Sequence, residues 1–248
     1  YYHDTKIAIK NQSPYYMVNE DALYTKDGHT IIAYWGKQSL FKIPNYVKYI
    51  ANGCFSNVRT LEEIVVPQGV ESIGRLAFED CYSLKSLDLP KSVKYIGESA
   101  FLGCEELEEI WSLGSICTIE PSTFEGCNLK YVHLPSCLIS IKDNAFNSNR
   151  ELRNIDLPDT LETIGNYAFA YCSELEHVNL GNSVKLIGDL CFYGCAIQEV
   201  RIPSSLTNMG IRPFDKIKNI ITGYNGQFKA EKGMLINVPV GILRIRCG

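Results

Sequence analysis

The sequence has no excess of basic residues and no long apolar run. Among its 248 residues, 28 are Asp or Glu and 24 are Lys or Arg. A domain that binds nucleic acid usually carries clustered positive charge. No uninterrupted apolar stretch approaches the roughly 18 to 20 residues that a membrane span needs. We therefore predict no nucleic-acid partner and no membrane-spanning segment.

Motifs of nucleotide-binding and nucleophilic enzymes are also missing. Neither G-x-G-x-x-G nor a Walker-type G-K-[ST] occurs. No Ser-His-Asp or Cys-His constellation is recognisable, and the whole chain has 4 histidines. The sequence therefore predicts no catalytic residue and no cofactor.

What the chain does have is a regular series of phenylalanines. They follow one another at intervals of 23, 23, 23, 22, 23, 23 and 22 residues. The series consists of Phe55, Phe78, Phe101, Phe124, Phe146, Phe169, Phe192 and Phe214. A fixed period of this length is typical of solenoids, in which each repeat buries its apolar face against its neighbours.

The cysteines follow the same period. Those that stand three residues after a repeat Phe are Cys81, Cys104, Cys127, Cys172 and Cys195. In other repeats this slot holds Asn149, Val58 or Ile217. A position shared by these residue types is a small buried site rather than half of a disulfide, because free Cys packs as a small hydrophobe. Cysteines outside the repeat slots, which leave a disulfide open, are Cys117, Cys137 and Cys247.

Each repeat predicts the same sequence of elements. Ser86–Leu89 alternates outward and inward residues, which is the period of a half-buried strand. Pro90 ends that strand, and Val93 and Ile96 mark a second short strand. From Ala100 onward the apolar spacing fits one or two turns of helix. The predicted fold is an α/β, β-rich solenoid with a stacked parallel sheet, in which each Phe packs on the Phe of the next coil.

The ends of the array differ from its middle. Two apolar runs between Ala22 and Tyr34 surround Asp27-Gly28, which is a strong hairpin pattern. A second hairpin is predicted from Met234-Leu-Ile and Ile242-Leu-Arg-Ile. Such hairpins would cover open sheet edges. The predicted organisation is one continuous domain with a capping hairpin region at residues 1–38, about seven to eight coils at 39–222, and a capping hairpin at 223–248.

Outward positions of the first strand in each coil predict a binding surface. Counting whole repeats puts Trp111 opposite Asp88 and in one column with His133, with Tyr131 in the neighbouring column. The residues expected to border them are Glu109, Asn154, Asp156 and His177. Exposed aromatic side chains within a polar rim indicate a partner-binding patch or a sugar-stacking platform. The alternative is cross-strand packing with no ligand.

The same geometry argues against a zinc site. His133 and His177 lie two coils apart, about 12 Å by strand spacing, which is too far to share one ion. We therefore predict no metal site.

The repeat string L-x-x-I-x-L-P-x-x-V-x-x-I-G-x-x-A-F-x-x-C-x-x-L resembles the BspA-like class of leucine-rich repeats. It occurs from Leu61 to Cys81 and again from Leu152 to Cys172, and the resemblance covers about residues 39–222. Leu113 stands where most repeats have the strand-ending Pro. The resemblance implies a right-handed superhelix and an extracellular or cell-surface protein, typically bacterial, that takes part in adhesion.

These observations predict a non-enzymatic protein that binds a protein partner through its exposed sheet. The alternatives are a carbohydrate-binding surface protein and the recognition arm of a larger enzyme. The chain begins at Tyr1 rather than Met, so we expect that an N-terminal piece is missing, either a removed signal peptide that could anchor the protein or a segment that was trimmed away.

Overall fold

Two columns of short parallel strands run along the coils. The computed structural model describes residues 13–19, 21–215, 217–222, 228–231 and 234–237. The strands of each column come from successive coils, and most neighbouring coils pair in parallel. The predicted β-rich solenoid is confirmed.

An antiparallel hairpin region precedes the coils. It consists of β1 (Tyr16–Asn19), β2 (Ala22–Thr25) and β3 (Thr30–Tyr34). Strand β2 pairs with both neighbours, and the expected turn at Asp27-Gly28 joins it to β3. Gly28 has φ +76, a conformation that favours glycine. Because β3 then pairs in parallel with the second strand of the first coil, Tyr49–Ile50, this hairpin extends the second column.

The first column forms the face that carries the predicted site. Its strands are β4 (Leu40–Lys42), β6 (Glu63–Val65), β8 (Ser86–Leu89), β10 (Glu109–Leu113), β12 (Tyr131–Val132), β14 (Asn154–Asp156), β16 (His177–Asn179), β18 (Glu199–Ile202) and β20 (Asn219–Thr222). Alternate residues point inward, as in β8, where Leu87 and Leu89 are buried. Continuous pairing is interrupted between β6 and β8, between β12 and β14, and between β16 and β18.

The second column is built from two-residue strands. These are β5 (Tyr49–Ile50), β7 (Ser72–Ile73), β9 (Tyr95–Ile96), β11 (Thr118–Ile119), β13 (Ser140–Ile141), β15 (Thr163–Ile164), β17 (Leu186–Ile187) and β19 (Asn208–Met209). The second residue of each strand is buried or nearly so, which supplies one layer of the core.

Strands β21 (Phe228–Glu231) and β22 (Met234–Asn237) pair antiparallel beyond the coils. The predicted strand at Met234 thus pairs with the strand that precedes it in sequence. The other predicted hairpin strand, residues 242–245, lies outside the described residues. The boundaries of the three-part organisation stay a prediction.

The repeat phenylalanines form a single file through the core, as predicted. Neighbouring rings are stacked, with centroids 4.9 to 5.5 Å apart and planes within 17° of parallel. Seven of the eight rings are at most 1% exposed, and the ring of Phe214 at the end is 6% exposed. Such aromatic pairs contribute about 0.5 to 1.5 kcal/mol beyond the burial of their area.

The predicted helical turns are absent from the described residues, which contain consecutive tight turns instead. Each coil has a left-handed residue two positions before its Phe, such as Leu76 (φ 56), Ser99 (φ 54) and Tyr167 (φ 55). An α-helix cannot continue through such a residue. The N–H of every repeat Phe from Phe55 to Phe192 therefore bonds across to the next coil, as Phe101 N does to Thr123 O at 2.9 Å. These bonds form a third ladder between coils.

The cysteine slot is a buried hydrogen-bond donor position. Each repeat Cys donates its thiol to the carbonyl of the Phe in the preceding coil; Cys81, for example, donates to Phe55 O at 3.1 Å. The equivalent bonds are made by Cys104, Cys127, Cys172 and Cys195, at 3.1 to 3.2 Å. Burial raises the pKa of the Cys81 and Cys172 thiols to about 12, so both keep the proton that they donate. The predicted buried, unbridged thiols are confirmed.

Asn149 occupies the same slot and makes more bonds than a thiol could. Its Nδ2 donates to Phe124 O at 2.8 Å and Phe146 O at 2.9 Å, and its Oδ1 accepts from Leu129 N at 3.2 Å. In the coils before and after, the Leu at this position donates to the carbonyl of the slot residue three positions earlier, as Leu107 does to Cys104. The segment from Cys127 to Leu129 is one residue too short for that bond. Asn149 thus accepts a hydrogen bond from the Leu129 N–H, which the short segment leaves without its usual acceptor.

Candidate binding face

The predicted aromatic residues come together on the outward side of the first column. Glu109 and Trp111 lie on β10, Tyr131 lies on β12, and His133 follows β12 directly. Trp111 is 55% exposed and Tyr131 is 63% exposed. We call Trp111, Tyr131 and His133 the aromatic patch.

Trp111 lies on a bulge in β10. Ile110 pairs with Leu87 and Ser112 pairs with Asp88, so Trp111 is an extra residue with no partner on β8. The prediction that Trp111 stands opposite Asp88 was therefore wrong. An inserted residue in a strand locally increases bend and twist, and re-aims the side chain that it carries.

Leu113 is likewise not a substitute for the strand-ending Pro. It pairs with Leu89 and is buried, and Gly114 (φ +72) makes the turn after it. The turn after Leu113 has one residue fewer than the corresponding turns of the neighbouring coils. As a result, Ser115 N bonds to Val93 O. Insertion and deletion cancel, which keeps the interval between Phe101 and Phe124 at 23 residues.

Trp111 and His133 stack on one another. Their ring centroids are 6.0 Å apart, and their planes are within 17° of parallel. The register of β10 and β12, which pairs Glu109 with Tyr131 and Ile110 with Val132, sets the two rings on adjacent strands. One face of the indole is therefore covered by the imidazole, and the aromatic patch is partly ordered by its own contacts.

An open groove lies beside the aromatic patch, where the pairing between β12 and β14 is interrupted. Its volume is about 650 Å³. The residues that line it are Lys130, Tyr131, Arg150, Glu151, Arg153, Asn154, Ser173 and Glu174. Tyr131 thus belongs to both the aromatic patch and the groove, and so joins them into one surface.

Charges around the groove are largely paired. Lys130 Nζ lies 2.9 Å from Glu108 Oε1 and 3.5 Å from Glu151 Oε2. The hydrogen bond to Glu108 raises the pKa of Lys130. Arg153 Nη2 lies 3.4 Å from Glu174 Oε2. The groove therefore offers charged hydrogen-bonding groups of both signs rather than a field of one sign.

The remaining predicted residues are more spread out. Asn154 lines the groove, and its partner on β16 is His177. Asp156 pairs with Asn179, two pairs further along. His177 lines a second groove, of about 440 Å³, at the interruption between β16 and β18. Of the seven predicted residues, Tyr131 and Asn154 line the first groove and His177 lines the second, whereas the other four lie on the same face outside both grooves.

Sequence reasoning missed the charged residues that precede the strands. Lys130, Glu151 and Arg153 stand at the corner before β12 and β14, outside the alternating strand pattern. The sequence contains a pattern that could have indicated them. At this corner, the charge alternates from coil to coil in Glu62, Lys85, Glu108 and Lys130. Lys85 and Lys130 both form ion pairs with the glutamate of the preceding coil.

Within the described residues, no group of three or more His, Cys, Asp or Glu side chains could hold a metal ion. What this face offers is aromatic stacking, apolar contact and hydrogen bonds from ion-paired side chains.

The repeat pattern and the stacked coils have a counterpart among known families. A family model described as a BspA type leucine rich repeat region, with six copies, matches residues 33–151 and 113–221. The chain belongs to the BspA-type leucine-rich repeat family. The matched residues include every strand of both columns from β4 to β19 and the whole of the aromatic patch.

Solved structures of leucine-rich repeat proteins are similar to this chain. A leucine rich cell surface protein from Faecalibacterium prausnitzii is 25% identical, with a TM-score of 0.64, and the match covers 92% of this chain and 59% of that one. A leucine-rich repeat protein from T. pallidum is 27% identical, with a TM-score of 0.55 and coverage of 78% and 84%.

A leucine-rich repeat protein from Eubacterium ventriosum, at 22% identity and a TM-score of 0.58, shares the fold; the match covers 88% of this chain and 54% of that one. The chain thus spans a little over half the length of this structure and of the F. prausnitzii one. No curated protein matches the chain. In the part of the chain that the structure describes, no helix is long and apolar enough to cross a membrane.

Proposed function

We propose that this BspA-type chain is a non-enzymatic, secreted or cell-surface protein that binds a protein ligand through the aromatic patch and the adjoining groove. The observation that carries the proposal is the exposed Trp111 on a bulge, held against His133 beside the exposed Tyr131. Rigid aromatic residues near the centre of a surface commonly supply most of the affinity of a protein interface.

A protein ligand fits this surface better than a glycan. A sugar-stacking platform is an open, flat aromatic face, whereas the Trp111 ring is stacked with His133 on one side. The groove next to Tyr131 has ion-paired Lys130 and Arg153 at its rim. An aromatic centre with a polar, solvent-accessible rim is the usual anatomy of a protein interface.

The surface location is supported by the F. prausnitzii structure, which is described as a cell surface protein. A test on intact cells of the source organism follows: antibody against this chain should stain unpermeabilised cells or detect the protein in the medium. Staining that requires permeabilisation would contradict the proposed location.

Trp111→Ala should weaken binding about 10- to 100-fold, since truncation of a central aromatic residue at an interface costs about 2 kcal/mol or more. The free energy of unfolding should change by less than about 1 kcal/mol, because the side chain is mostly exposed. The measurement is titration of immobilised extracellular matrix proteins, with a glycan array run in parallel.

The matched control is Tyr95→Ala, which removes an aromatic side chain of similar exposure, 49%, from β9 in the second column. Its affinity should equal that of the unmodified chain. Equal losses in both variants, or a large loss of stability in Trp111→Ala, would mean that the aromatic patch is only packing. Binding confined to the glycan array would favour the carbohydrate alternative.

A further inference from the structure

Two exposed cysteines lie next to each other on adjacent coils. Cys117 directly precedes β11, and Cys137 lies three residues before β13. Both are exposed, whereas the other described cysteines are buried. They are 20 residues apart in sequence and belong to none of the repeat slots.

The backbone pairing brings these two segments into contact. Cys117 O accepts hydrogen bonds from Ile139 N at 2.8 Å and from Ser140 N at 3.3 Å. In return, Cys137 Sγ donates to Ile116 O at 3.3 Å. That carbonyl belongs to the trans peptide unit that ends at the Cα of Cys117. The sulfur of Cys137 is therefore held within a few ångströms of the Cys117 side chain.

The nearness of Cys117 also affects the charge state of Cys137. The pKa of Cys137 is raised, first by desolvation and then by the interaction with Cys117. Two neighbouring thiols whose backbones are tied by hydrogen bonds between the coils need no large movement of the chain to become covalently joined.

We propose that Cys117 and Cys137 are a dithiol site that closes to a disulfide between coils when it meets a small-molecule disulfide such as oxidised glutathione. One thiolate attacks a sulfur of oxidised glutathione, which forms a mixed disulfide and releases one glutathione thiolate. The second thiolate then displaces the bound glutathione. The protein loses two protons and two electrons, and oxidised glutathione becomes two molecules of reduced glutathione.

The repeat cysteines take no part in this exchange. Each donates its thiol proton to a carbonyl inside the core, and burial raises the pKa of Cys81, Cys104, Cys172 and Cys195. Exchange needs an accessible thiolate, so they are inert in the folded protein. Cys117 and Cys137 instead join the segment that follows Trp111 to the segment that follows His133, so the disulfide would tie together the two coils that carry the stacked pair.

The test is peptide mapping of the folded chain without reduction, after incubation with oxidised glutathione. Cys247→Ser serves as the background, because Cys247 lies outside the described residues. The expected product is a cross-linked peptide that contains Cys117 and Cys137, with no retained glutathione. In this background Cys137→Ser should instead keep glutathione on Cys117. Separate glutathione adducts on the two cysteines, untouched thiols, or a cross-link between two chains would each overturn the proposal.

Thermal unfolding supplies a second, independent readout. A disulfide that closes a loop of about 20 residues should raise the Tm of the oxidised chain by about 5 to 10 °C over the reduced chain. The Cys117→Ser, Cys137→Ser double variant should show no such difference. A mapped cross-link without a rise in Tm would mean that the sulfurs had been forced together, and would contradict a preformed site.

Discussion

Phe124→Ala should lower the free energy of unfolding by about 3 to 5 kcal/mol. The ring of Phe124 is fully buried and is stacked between Phe101, at 5.4 Å, and Phe146, at 5.5 Å. Truncation leaves a cavity in the middle of the file, and it also removes two aromatic contacts. In a solenoid each coil contacts only its neighbours, so both interfaces of the coil are weakened at once.

The measurement is equilibrium denaturation in urea, with the midpoint and the slope fitted separately. Phe214→Ala is the matched control, because Phe214 stacks on one side only among the described residues and lies at the end of the file. Its loss should be clearly smaller. Phe124→Ala with unchanged thermal stability would contradict the role of the file. A lower slope would indicate that the array had divided into two unfolding units.

Asn149→Val should cost about 3 kcal/mol or more, because it leaves Leu129 N and two carbonyls without the side chain that bonds to them. The change is nearly neutral in size, and Val58 already occupies this slot in the first coil. A cost of this size therefore comes from unsatisfied polar groups rather than from a cavity.

Asn149→Cys provides the comparison. The thiol restores the usual donor to Phe124 O but accepts nothing from Leu129 N, so its cost should lie between zero and the cost of Val. Thermal and urea unfolding of both variants would give the order. If Cys proved as costly as Val, the donor bond to Phe124 O would not matter. If Val were neutral, the slot would require only small size.

The architecture could be predicted from the sequence because the repeat residues have one role each. The phenylalanines mark the file and occur eight times, and the cysteines mark a buried slot and occur five times. The corners were harder. Ala100, Phe101 and Cys104 have helical spacing, but the residue just before the Ala of each coil is left-handed, as at Leu76 and Tyr167, where side chains of this kind are rarely found.

The bulge at Trp111 could not be found by counting. An extra residue in β10 and a shorter turn at Gly114 cancel within one coil, so the spacing of the phenylalanines is unchanged. The short segment after Cys127 is visible in the sequence, because it reduces the interval between Phe124 and Phe146 to 22 residues. Its meaning depends on a hydrogen bond between coils, which only the structure provides.

The aromatic patch was predictable in part. Trp111, Tyr131 and His133 are neighbours, as the repeat alignment predicts, and Trp111 and His133 are stacked. The groove beside them could not be predicted, because it lies where β12 and β14 do not pair. An interruption of this kind depends on the exact path of each corner, and the outward residues alone do not contain it.

The extra residue in β10 and the shorter turn after it show that the outer surface of a coil can change without a change in the core. A residue can be added on the outside and removed at the next corner while the rings inside stay in file. Surface side chains of one coil can therefore be replaced or shifted without a loss of packing in the neighbouring coils. A chain built in this way can acquire a new ligand by editing a few exterior positions, and its interior need not change.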